Sequence, residues 1–124
     1  MRTFDAVIGG ETIALAVTFG ASLKVADAVG DPLMISREAA KEAMFSQRGI
    51  EYEPKWSFSL SNVTQILWIG ATAAGSKITF DEMGEKVLAG GLFEAKNEAG
   101  RYLGAIVSPG SEEVKPEKSD AEKS

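Results

Sequence analysis

Apolar positions alternate along the first eighteen residues and then change period. Phe4, Ala6 and Ile8 share one side of Thr3–Ile8, and Ile13, Leu15 and Val17 share one side of Glu11–Thr18. Two runs of period two around Gly9-Gly10 predict a β-hairpin. From Phe19 the spacing becomes helical: Phe19, Leu23 and Ala26 recur, and Val29 continues the stripe. Gly30 stands where the residue after a helix takes positive φ, and Pro32 is expected to keep that helix from resuming. An isolated hairpin is marginal, so its apolar face must lie on something, and the helices that follow are the available cover.

Beyond Pro32 the pattern predicts more short helices. Leu33-Met34-Ile35 is a brief apolar run, after which Ser36 is placed to cap a helix over Arg37–Ser46, with Gly49 as its stop. Glu51–Ser59 mixes aromatic and polar residues around Pro54, which suits a loop or an edge segment. Asn62 and Gln65 read as a capping box opening Val63–Ala74. That helix is apolar nearly all round, as a central core helix is, and Gly70 and Ala71 would admit a close neighbour. Thr79 and Glu82 form a second capping box, with Ile78 and Met83 as a hydrophobic staple, for a helix over Phe80–Ala89 ending at Gly90-Gly91. Leu92, Ala95, Ala99, Leu103 and Ile106 predict a last helix over Leu92–Val107, closed by Ser108-Pro109-Gly110. Ser111–Ser124 is almost wholly Glu, Lys, Ser and Pro, too polar to offset its ordering entropy, and is expected to be disordered. The expectation is an α+β domain over residues 1–108, with the hairpin packed on four to five short helices, and a disordered polar tail over 109–124.

Composition narrows the function more than the fold. The net charge is −5, which argues against a partner with a nucleic-acid backbone. The chain has neither cysteine nor histidine. That removes disulfides, thiolate and imidazole metal ligands, and the commonest acid–base group at neutral pH. No apolar stretch is long enough to span a bilayer, residues 1–5 have no apolar segment of the secretory type, and the lack of cysteine is compatible with a reducing cytoplasm.

Candidate chemistry is sparse. Gly70–Lys77 resembles a phosphate loop only superficially, because it ends Gly-Ser-Lys instead of Gly-Lys-Ser and follows a helix instead of a strand. Asp81 and Glu82 are explained as first-turn helix charges, with Asp81 and Glu85 at helical spacing, and Glu112 and Glu113 lie in the tail. Ser22 and Lys24 have no base at a nucleophile spacing. Tyr52, Trp56 and Phe58, with Lys55, are either core and loop packing or a protein-contact patch. The Phe19/Leu23 stripe has the same two readings. No enzyme, cofactor or metal is expected.

The order of motifs resembles the tail-assembly-chaperone type of small tail protein found in gene transfer agents and related long-tailed, siphovirus-like phages. The residues that carry the resemblance are the hairpin around Gly9-Gly10, the Thr18-Phe19-Gly20-Ala21 entry to a helix closing on Gly30-Asp31-Pro32, the Val63–Ala74 helix, the Thr79–Gly84 helix start and the Leu92–Val107 helix. It departs at Leu33–Leu60, where Pro54 and the loop aromatics replace a plainer helical stretch. The resemblance implies a non-enzymatic prophage or phage protein of virion assembly. It would bind the tape-measure protein, keep its apolar helices soluble and promote assembly of tail-tube protein, in the host cytoplasm, with self-association possible. The alternative is a structural tube or connector subunit of the virion tail. The candidate partner-contact residues are Phe19, Leu23, Tyr52, Trp56 and Phe58.

Overall fold

The hairpin is built as the alternation requires. In a computed structural model that describes residues 1–53 and 56–108, β1 (Thr3–Ile8) pairs antiparallel with β2 (Glu11–Ala16) in the register Phe4↔Leu15, Ala6↔Ile13, Ile8↔Glu11. The two-residue turn has φ of 60° at Gly9 and 81° at Gly10. That left-handed pair matches the twist of the strands, and only glycine adopts it freely. Phe4, Ala6, Ile8 and Leu15 are buried on the face turned toward the helices. Pairing stops at Ala16, two residues short of the expected strand end. Thr18 is instead the N-cap of α1 (Phe19–Ala28), its hydroxyl accepting from the Ala21 N–H at 3.1 Å. An extended cap residue joins strand to helix without a loop.

The Gly30-Asp31-Pro32 segment corrects the sequence reading. Gly30 does end α1, but Pro32 opens the next helix. α2 runs Pro32–Gln47, with the Asp31 carboxylate accepting from the Leu33 N–H at 3.1 Å. Proline at a first helical position loses no hydrogen bond and has its φ already set. Leu33-Met34-Ile35 is therefore helical, and Ser36 is an interior residue, not a cap.

The central helix also starts early. α3 spans Leu60–Ala73, with Ser59 as N-cap accepting from the Asn62 N–H at 3.1 Å. Asn62 sits inside the first turn, where its side-chain amide donates to the Ser57 carbonyl at 3.0 Å. The ends of α4 (Phe80–Gly90) and α5 (Leu92–Val107) agree with the sequence to within one residue. Both halves of the Thr79/Glu82 capping box form, at 2.9 and 3.1 Å. The expected disordered tail lies outside the described residues. Among the described residues the architecture is α+β: a two-stranded hairpin and five helices.

α3 packs against β2, α1, α4 and α5, and the hairpin lies on α3 and α5. The close approach expected at Gly70 is made by Tyr102. A Cβ on Gly70 would lie 2.9 Å from the Tyr102 ring and hydroxyl and 3.0 Å from the Leu15 Cβ. Through that gap the buried Tyr102 hydroxyl donates to the Ala16 carbonyl at 2.6 Å, and burial raises its pKa above the usual tyrosine value. The same helix reaches β1, where the Glu98 carboxylate accepts from the Val7 N–H at 2.8 Å and from Arg101 at 3.0 Å. In this register Val7 and Ala16 belong to the wide pairs, whose backbone groups point away from the partner strand. The two glycine pairs meet as well: a Cβ on Gly90 would lie 2.7 Å from the Gly9 nitrogen. Lys86 and Glu11, at 2.8 Å, bridge the same seam.

Tyr102→Phe leaves the Ala16 carbonyl without its donor, and urea unfolding should show a loss of about 1–3 kcal/mol. Gly70→Ala should cost at least as much by overpacking, on the order of 2 kcal/mol.

The Glu82 carboxyl is held below its usual pKa, chiefly by the Thr79 backbone N–H. A depressed folded-state pKa gives stability that is complete above the unfolded value, about 4.3, and is lost as pH falls through the folded one. The stability gap between the parent chain and Glu82→Gln should therefore narrow below about pH 4.3. A gap that stays constant down to pH 3 would exclude an ionised Glu82 from the box.

Candidate functional site

α1 turns inward the face opposite Phe19 and Leu23, so of the two readings of that stripe the structure gives the exposed one. Ala21 and Val25 fill the core, while Phe19 is 78% exposed and Leu23 48% exposed. The helical period was readable from the sequence, but its phase was not. Thr18 fixes where the helix starts, and the small Ala21 and β-branched Val25 suit the close contact with α3. Phe19 and Leu23 therefore form an apolar surface turned to solvent. A shallow hollow of about 230 Å³ lies beside it, lined by Val17, Thr18, Phe19, Ser22 and Ile106.

The loop aromatics divide into two groups. Trp56 and Phe58 meet edge to face, with centroids 4.8 Å apart and planes at 88°, and both pack half-buried against the core. The Trp56 indole donates to the Val29 carbonyl at 3.0 Å, which ties the loop to the end of α1. Lys96 lies 6.0 Å from the Phe58 centroid. Tyr52 is elsewhere: it stacks on Phe45 at 5.1 Å and donates to the buried Glu38 carboxylate at 2.6 Å. That hydrogen bond to Glu38 is the main reason the Tyr52 hydroxyl titrates above its usual range. The three rings do not form one stacking platform. Lys55 and Pro54, read with them in the sequence, lie outside the described residues.

A second apolar surface was missed in the sequence. Leu60, Ser61 and Thr64 of α3 face Phe80, Asp81, Gly84, Glu85 and Leu88 of α4 across a groove of about 440 Å³. Trp68 meets Phe80 edge to face at 5.7 Å, and the Trp68 indole donates to the Ile78 carbonyl at 3.0 Å. The signal was present as Asp81, Gly84, Glu85 and Leu88 at i, i+3, i+4 and i+7, one stripe of α4. The sequence reading explains Asp81 as a first-turn helix charge and notes Glu85 only for its helical spacing from it.

The Asp81/Glu82 pair is split, with Glu82 in the capping box and Asp81 on the groove. Gly70–Ala73 is helical, and the chain turns at Gly75 with φ 101°, so the phosphate-loop-like stretch is a helix end. Among the described residues, no group of three or more Asp or Glu side chains is gathered as a metal site would need. No described helix is long and apolar enough to cross a membrane.

Phe19→Ser with Leu23→Ser should leave unfolding free energy within about 0.5 kcal/mol of the parent chain, as surface changes do. Trp56→Ala should cost roughly 2 kcal/mol from lost packing and an orphaned Val29 carbonyl. Urea denaturation followed by circular dichroism measures both, and the reverse ranking would exchange their roles as surface and support.

No family model, no curated protein and no solved structure matches this chain.

Proposed function

We propose that this protein is a non-enzymatic assembly chaperone of a phage-type tail, acting on a tape-measure protein and on the polymerisation of tail-tube protein around it. The observation that carries the reading is the uncovered pair Phe19 and Leu23 on α1. Two large apolar side chains held in solvent by a folded helix cost solubility, and such patches mark contact with another protein. The resemblance in motif order names the class of client: long apolar helices that need cover until the tube encloses them. The acidic balance of the chain favours protein over nucleic acid as partner. Phe19 and Leu23 are the primary contact in this reading. Trp56 supports the surface by bracing the end of α1, Phe58 packs on Trp56, and Tyr52 orders the loop through Glu38.

Co-expression with a tape-measure protein from the same genome tests the proposal. The expected result is co-purification and a soluble client, both lost in the Phe19→Ser, Leu23→Ser double variant. A client that stays soluble without this chain, and fails to co-purify with it, overturns the proposal. Mass spectrometry of purified particles addresses the alternative, since many copies in the finished tail would mark a structural tube or connector subunit.

A further inference from the structure

The α3–α4 groove carries an inference that does not rest on the tail-assembly reading. We infer that it docks an amphipathic helix of a protein partner, one whose apolar stripe is flanked by lysine or arginine.

Three features point to that occupant. The first is shape and polarity. Leu60, Phe80 and Leu88 are exposed around the groove, at 42%, 39% and 58%. This is the helix-in-groove mode, in which apolar anchors at i, i+3 or i+4 and i+7 seat between two helices.

The second is Gly84. It lies in the middle of α4, where glycine weakens a helix relative to alanine. A Cβ there would meet only the Thr64 Cγ2, at 3.8 Å, an ordinary contact. Unlike Gly70 and Gly90, then, Gly84 is not required by packing inside the domain. What its missing side chain provides is depth in the groove. Beneath it lies Thr64, only 3% exposed, whose hydroxyl has no hydrogen-bond partner among the described residues.

The third is charge. Asp81 and Glu85 line the groove one turn apart, and among the described residues no lysine or arginine lines it with them. The nearby cation Lys86 is engaged with Glu11. An apolar channel edged by two carboxylates complements an apolar helix edged by cations and repels an acidic one. A second copy of this chain is disfavoured at the same face, because a two-fold contact there would bring both acidic pairs into one interface.

The test uses the full chain and a fluorescein-labelled 14-residue helical peptide of leucine and lysine, read by fluorescence anisotropy. Two control peptides are matched in length: one with glutamate for lysine, and one with the leucines and lysines scrambled. The leucine–lysine helix should bind, the controls should not, and binding should weaken with added salt. Gly84→Ala should weaken binding roughly tenfold by filling the groove, while raising the melting temperature by about 4 °C. Asp81→Asn with Glu85→Gln should weaken binding by a similar factor, on the order of tenfold. Phe19→Ser with Leu23→Ser should leave it unchanged, which separates this groove from the α1 surface. Unchanged binding in the Gly84→Ala chain, or equal binding of the scrambled peptide, overturns the inference. A dimer in sedimentation that Gly84→Ala dissociates would instead assign the groove to a second copy, and also overturns it.

Discussion

One buried hydrogen bond holds the strands and helices in a single arrangement. The Tyr102 hydroxyl reaches the Ala16 carbonyl only because Gly70 leaves the ring a passage between α3 and β2. Three segments far apart in sequence therefore share one contact: the end of the hairpin, the last turn of the central helix and the third turn of the last. Their geometry is coupled, since a side chain at 70 would displace the ring and strand the carbonyl. Glu98, one turn earlier on α5, makes the complementary contact to β1. The last helix thus crosses the hairpin and fastens one backbone group on each strand.

What could be read from the sequence followed from local rules. The hairpin turn, the Thr79/Glu82 box and the span of α5 depend on residues within four positions of one another, and all three formed. Errors arose where two local signals competed. Pro32 can end one helix or open another, and Asp31 beside it decides for opening. Ser59 and Asn62 can both cap α3, and the apolar Leu60 between them joins the helix. Of the candidate contact residues, the period that groups Phe19 with Leu23 was legible. Which face of α1 turns inward was not, because that depends on the fit of Ala21 and Val25 against α3. Glu98 and Tyr102 were invisible as anchors, since a polar residue on an apolar stripe reads as an interruption until its partner on another segment is known.

The exposed apolar surfaces share a physical logic. Each lies on a helix whose opposite face is well packed, so the domain does not need them for its own stability. Phe19 and Leu23 project from α1 while Ala21 and Val25 hold it. Leu88 projects from α4 while Met83 and Val87 hold that helix. Core packing and surface apolarity are thereby placed on separate residues, which lets either be altered without the other.

The way α5 fastens the hairpin also limits how other chains can engage it. Strand addition needs an uninterrupted row of outward N–H and C=O groups along a sheet edge. On β1 the outward N–H of Val7 is already taken by a carboxylate, and on β2 the outward carbonyl of Ala16 is taken by a phenol. These plugs sit near opposite ends of the two strands, so each edge is shortened from a different end. An added strand would find only part of either edge available, so templated growth of the sheet is hindered on both sides.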